Sequence, residues 1–318
     1  MARRVLQAVP TLFGVIVLNF ALLHLIPGDL ADALAADLPS ADAAYKAALR
    51  VELGLDKPIL EQFVLYVWSV LHFDFGYSYL FSMPVIDVIG NRAGATMLLM
   101  LSSIFLSFVV SVAAGVYAAR KVRSVWDTLI TVAALVFYAT PVFWIGLMLI
   151  VLFAIELHWL PVGGFESVGT SLSTSARMLD ILRHLLMPMI TLSLFFLAVY
   201  TRLMRASMLE VYGLDFVRTA RAKGLTERLI AYRHIVPNAL LPVVTMLGLQ
   251  IGAALGGAVV VETVFSWPGI GRLAFDAVFR RDYHLLLAIL FFSALFVIVV
   301  NILIDLLYAR LDPRIELR

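Results

Sequence analysis

The chain has 318 residues, of which 62% are hydrophobic and 14% charged, with a mean hydropathy of +0.98. This composition excludes an ordinary soluble domain, in which about a quarter of the residues are charged. A net charge of +2, with the basic residues set beside apolar runs, disfavours nucleic-acid binding, and the lack of cysteine excludes disulfides, thiolate metal sites and cysteine nucleophiles.

Taken in chain order, apolar runs at roughly 5–26, 97–119, 128–155, 185–208, 239–261 and 285–308 predict six transmembrane helices. Each is near the ~20 residues needed to cross a bilayer core. Helices are required because an unpaired strand would leave backbone groups unsatisfied in lipid. The first run follows Arg3 and Arg4 but is too long for the apolar region of a signal peptide, so residues 1–27 read as an uncleaved anchor.

Residues 28–95 are polar and acidic and predict a small folded helical region outside the membrane. Ser40 to Leu53 reads as a helix stopped by Gly54. Pro58 opens another, with Ile59, Phe63, Val67 and Leu71 on one face. The remainder, 96–310, reads as the membrane core with a loop at 209–238, followed by a tail at 311–318. Pro141 and Pro188 are expected to kink the third and fourth spans. On the fifth, Gly248, Gly252 and Gly256 recur every four residues and read as a packing face. Gln250 is the strongly polar side chain inside that span; together with Tyr138 in the third it is a candidate for lining a translocation path.

Basic residues follow the second, fourth and sixth spans and precede the first, and these positions share one side only if the helix count is even. Six helices therefore predict both termini in the cytoplasm of a multi-pass inner-membrane protein. The richest basic segment, DFVRTARAKGLTERLIAYRHIVPNALLP, runs from Asp215 to Pro242. Asp215 sits where an N-cap would, Phe216, Val217 and Ala220 form an apolar face, and Arg218 and Arg221 lie on another. Gly224 can close this helix in a left-handed turn, with a second short helix running from Thr226 toward Pro237. Two short helices about a glycine corner make a knob able to transmit a push.

That segment resembles the docking loop of permeases from ATP-binding-cassette (ABC) importers, whose pattern runs Glu-Ala-Ala, three residues, Gly, nine residues, Ile-x-Leu-Pro. Ala220, Gly224 and Pro237 fall in register, while Arg218, Thr219, His234 and Val236 replace the Glu, the first Ala, the Ile and the Leu. RTARAKG is similar to the dipeptide/oligopeptide/nickel branch, as are PTLFGVIVLNFALLHLIPGDL, ATPVFWIGLMLI and VVVETVFSWPGIGRL elsewhere in the chain. The long external region resembles the first of that branch's two permease subunits.

The resemblance implies a type I ABC importer permease fold and transport of peptides, nickel chelates, glutathione or glycosides. It also implies a second homologous permease, two ATPase subunits and an external binding protein as partners. Asp215, Phe216, Val217, Arg218, Ala220, Arg221, Lys223, Gly224 and Pro237 would then couple the bundle to the ATPases. Glu262, Phe265 and Trp267, in the turn after the fifth span, would form an external gate or dock, with the two aromatics in an interfacial belt.

No His-Glu-x-x-His or Gly-x-Ser-x-Gly occurs, and Lys46, Lys57, Lys121 and Lys223 all follow residues other than glycine, so no phosphate-binding loop is present. The chain itself is expected to be no enzyme and to bind no cofactor, with ATP and Mg held by partner subunits. The rival reading, an ATP-independent channel, calls for a polar constriction or charged ring.

Overall fold

A computed structural model describes residues 2–25, 43–52, 54–78, 80–169 and 173–311. Residues 28–42 of the expected external region and 312–318 of the expected tail lie outside them. Apart from a two-residue hairpin ladder, the regular structure of the described residues is helical. Its elements are α1 (Ala2–Leu25), α2 (Ala43–Glu52), α3 (Ile59–Leu71), β1 (Tyr77–Ser78), β2 (Met83–Pro84) and α4 (Val85–Arg120). After these come α5 (Val125–Ala139), α6 (Val142–Leu149), α7 (Thr174–Tyr212), α8 (Asp215–Ala222), α9 (Glu227–Ile230), α10 (Val236–Val264), α11 (Ile270–Arg280) and α12 (Tyr283–Leu311). α6 runs on into a π-helical stretch, Ile150–Glu156, and a π-helical turn, Ala231–Ile235, joins α9 to α10.

Among the described residues five helices are long and apolar enough to cross a membrane, and a bent pair makes a sixth. That pair is the third expected span. It is not one helix over 128–155: Val125–Ala139 and Val142–Glu156 meet at 103°. The cause is local. Thr140 closes α5 by donating its N–H and its hydroxyl to the Val136 carbonyl, at 3.0 and 2.7 Å, and Pro141 brings no N–H to continue the ladder. By contrast α7 continues through Pro188.

The chain packs as two compact units. One comprises residues 1–93 and 273–318, and is built on α1, α3 and α12. Within it the buried Asn19 donates from Nδ2 to the Leu287 carbonyl at 3.0 Å, and the Ser78 hydroxyl donates to Asp282 Oδ2 at 2.6 Å. Gly54 ends α2 at φ +67°, and Pro58 precedes α3, as the sequence predicts. The inward face of α3 differs: it carries Phe63, Tyr66 and Val70, while Ile59 and Leu71 point outward with Leu60, Val64 and Trp68. The outer side of α3 therefore carries these large apolar residues together with Glu61, which pairs with Lys57 at 2.9 Å.

The second unit, residues 94–272, holds the rest of the bundle around α7. α7 buries Leu192, Phe196, Tyr200, Met204 and Met208, spaced at the helical repeat. Close approach depends on glycine at Gly115, where a Cβ would lie 2.7 Å from Met204 Cβ and 2.9 Å from the Thr201 carbonyl. On α10 the approach to α7 is made at Gly257, whose Cβ would stand 3.2 Å from Leu192, whereas Gly256 faces open space. The expected packing stripe thus does not include Gly256 within this chain.

Gly115→Val is expected to overpack this contact and lower stability by about 1–3 kcal/mol. Gly256→Val should leave stability unaltered. Thermal unfolding of the two variants in detergent checks the contrast.

Candidate functional site

The basic segment forms the corner that its sequence predicts, with two differences. Leu214, not Asp215, is the N-cap of α8, and Asp215 occupies the first helical position, where a carboxylate suits the helix dipole. At the other end Gly224 has φ +77° and sits in open space. Its N–H donates to the Arg221 carbonyl at 2.9 Å and the Leu225 N–H to the Ala220 carbonyl at 3.4 Å, the paired bonds of a Schellman stop. The Thr226 hydroxyl then caps α9 by accepting from the Leu229 N–H. Arg221 reaches across the corner to Glu227, at 2.7 and 3.3 Å, and lies over the Tyr212 ring.

The second difference concerns the apolar face. Val217 and Ala220 are buried within this chain, as are Ile230, Ala231 and Ile235 of the following turns. They seat the corner on its own bundle and are not available to a partner. Phe216, 39% exposed, is the large apolar side chain of α8 that stays outside, close in sequence to the exposed N-cap Leu214. Arg218, Arg221, Lys223, Gly224 and Pro237 are exposed as well. Pro237 lies at the start of α10, where its missing N–H is not needed, and the wider π turn before it leaves room for its ring.

Two polar links at this end of the bundle could not be read from the sequence. Asp127, in the first turn of α5, is gripped by Arg205 of α7 through Nε at 2.6 Å and Nη2 at 2.8 Å, and also accepts from the Arg123 N–H at 3.0 Å. Arg120, closing α4, donates to the Tyr232 hydroxyl at 3.3 Å and lies over its ring. The end of α4 and the basic segment therefore share one end of the bundle, as the positive-residue count requires.

The turn after α10 is a buried knot. Trp267 and Phe265 are 0% and 1% exposed, so neither belongs to an interfacial belt. Trp267 donates from Nε1 to the Ala95 carbonyl at 2.9 Å and packs at a tilt against the Phe165 ring, and the Phe265 carbonyl accepts from the Gly164 N–H at 2.8 Å. Glu262 is also fully buried. Its carboxylate accepts from the Thr96 hydroxyl at 2.7 Å and the Arg272 N–H at 2.9 Å, while Thr96 in turn accepts from the Ile270 N–H. Gly269 and Gly271 press on that carboxylate so closely that neither has room for a Cβ. The loop over the knot is tied by Glu166 and Arg177, whose guanidinium holds the Glu166 carboxyl below its ordinary range. Glu262, Phe265 and Trp267 shape this turn and present no surface of their own.

The path candidates lie apart from both. Tyr138 is exposed two residues before the break in the third span. Gln250 is half-buried on α10 and has no hydrogen-bond partner among the described residues.

Glu262→Ala would strand the Thr96 hydroxyl and the Arg272 N–H, each costing about 1–3 kcal/mol when buried. The variant should unfold at a clearly lower temperature than the wild-type chain, and Glu262→Gln, which keeps an acceptor oxygen, by less. Thermal unfolding followed by tryptophan fluorescence measures both.

Residues 111–317 match the family described as "Binding-protein-dependent transport system inner membrane component", and residues 1–102 match "Binding-prot-dependent transport system membrane comp, N-term". The chain is 39% identical over 333 residues to the "Dipeptide transport system permease protein DppB" of Escherichia coli (strain K12), covering 99% of this chain and 97% of that protein. It is 39% identical to the "Oligopeptide transport system permease protein AppB" of Bacillus subtilis (strain 168), covering 99% and 98%. With the "Glutathione transport system permease protein GsiC" of Escherichia coli (strain K12) it shares 40% identity, covering 99% and 97%. Among solved structures, a chain of the inward-facing MetNI methionine ABC transporter superposes with a TM-score of 0.57 at 14% identity, covering 71% of this chain and 97% of that one, which shows a shared fold. The helical bundle and these matches agree: the chain belongs to the inner-membrane components of binding-protein-dependent transport systems, the permease subunits of ABC importers, which act with ATPase and substrate-binding partners.

Proposed function

We propose that this chain is one of two homologous permease subunits of an ATP-driven peptide importer, with substrate crossing between them by alternating access. The peptide reading is supported by the relatives named above, whose names give dipeptides, oligopeptides and glutathione, itself a short peptide, as what they transport. An external binding protein would deliver the substrate. Two ATPase subunits would bind ATP and Mg and hydrolyse the ATP, with this chain holding no cofactor.

The single observation that carries the coupling role is the Gly224 corner. It is exposed, stopped by two backbone bonds, strapped by Arg221 and Glu227, and seated on the buried Val217 and Ala220. A knob fixed this firmly to its bundle moves with it. Phe216 and Leu214 would enter a groove of the ATPase, with Asp215, Arg218, Lys223 and Pro237 around them. Tyr138 and Gln250 would line the path, and the Glu262–Trp267 knot would brace its outer end. Both termini and the Arg218–Arg233 segment would face the cytoplasm, and residues 28–95 the outside.

Topology is tested on single cysteines in this cysteine-free chain. Asp56→Cys should react with an impermeant thiol reagent in intact spheroplasts, and Lys223→Cys only after the membrane is opened; the reverse pattern would invert the assignment.

Coupling is tested by two substitutions. Gly224→Val forces a β-branched residue to positive φ at roughly 1–2 kcal/mol, without a clash, and so turns the corner rather than unfolding the bundle. Phe216→Glu places a charge on the exposed contact. Both chains should reach normal membrane abundance yet lose ATPase pull-down and uptake by at least about tenfold, the equivalent of one lost docking contact. Wild-type pull-down and uptake in both would reduce the segment to a linker.

A further inference from the structure

The break in the third span and a lone cation meet at one place in the second unit. α5 has 15 residues, so it is about 22 Å long and ends inside a hydrocarbon core about 30 Å thick. Interrupted backbone at that depth is tolerated only where protein buries it or where it lines water. Ala139 and Pro141 are exposed and Thr140 is half-buried, so this chain does not bury the break.

Arg202 of α7 holds its guanidinium 5.1 Å from the centre of the Tyr138 ring, two residues before that break. It is exposed, and no described carboxylate lies within ion-pair distance, whereas Arg205, three residues on, is held by Asp127 through two hydrogen bonds. A charge within a membrane helix faces a partner or an aqueous cavity. Side chains on a helix lean toward its N-terminus, so Arg202 extends away from the Tyr212 end of α7. The ring contact uses none of its five N–H donors.

We propose that Arg202, steadied by Tyr138, is an anion-binding point in the translocation path and takes the carboxylate of the passing solute. Resting on the peptide reading above, this is the peptide's C-terminal carboxylate. A guanidinium offers a carboxylate two parallel hydrogen bonds, and a ring holds the cation in place without neutralising it. With Arg205 paired to Asp127, the single open cation binds weakly enough for the solute to leave again.

The test uses Arg202→Cys in the complete importer, with dialanine as the solute and the unsubstituted complex given the same reagents. Uptake should fall at least about tenfold, as expected for one lost charge-assisted contact. Aminoethyl methanethiosulfonate, which puts back a positive charge, should restore it, and the sulfonatoethyl reagent should not. Subunit composition should stay unchanged. The proposal is overturned if the introduced thiol reacts with neither water-soluble reagent, if uptake is unaffected, or if the second permease is lost from the complex, which would make that subunit the partner of Arg202. Failure of the unsubstituted importer to take up dialanine, longer alanine peptides and glutathione alike would overturn the peptide reading instead, and the labelling arm would still report whether residue 202 faces water.

Discussion

Lipid offers no hydrogen bonds, and the rest of the molecule is arranged around that constraint. A polar group within the bundle must find a partner in the chain, a neighbouring subunit or enclosed water. Asp127 and Arg205 satisfy one another across 78 residues of sequence, and Glu262 gathers a hydroxyl and a backbone N–H around a carboxylate that no cation pairs with among the described residues. Against these closed sites, Arg202, Gln250 and the carbonyl-bearing break at Thr140 stand open in the isolated chain. The difference between closed and open polar groups separates what braces this subunit from what it offers to its surroundings.

The corner at Gly224 shows how a short segment gains stiffness without a long helix. Eight residues of α8 would not hold a helix by themselves. The two-bond stop at Gly224, the strap from Arg221 to Glu227 and the burial of Val217 and Ala220 fix it from three directions. The burial is on the chain's own side, and the π turn that follows packs against both α7 and α10, the long helices on either side of the corner in sequence.

Much of this was legible in the sequence where the cause is local. Gly54, Gly224, Pro58 and the capping Thr226 act within a few residues, and each does what its chemistry suggests. Apolar run length located the spans for the same reason. Facing was harder to read: α3 and α8 each carry apolar residues on more than one side, and the side that is buried depends on distant packing. That is why Ile59 and Leu71 point outward and Val217 points inward. Trp267 and Phe265 misled because aromatic residues near a span end suit an interface, and only the fold brings Ala95, Thr96 and Gly164 around them. Pro141 announced a bend but not one of 103°, which needs Thr140 to close the helix first. The Asp127–Arg205 pair leaves no local trace.

The bent third span also bears on how the chain is made. Its two limbs, Val125–Ala139 and Val142–Glu156, are each shorter than the hydrocarbon core is thick, so neither is a self-sufficient membrane segment. α5 finds its packing partner in α7, and α6 in α7 and α10, all of which are synthesised later. During translation the ribosome therefore delivers to the insertion machinery a segment whose final shape has no support yet. The break itself is set locally by Thr140 and Pro141, but the packing that holds its two limbs becomes available only once the following helices have been made.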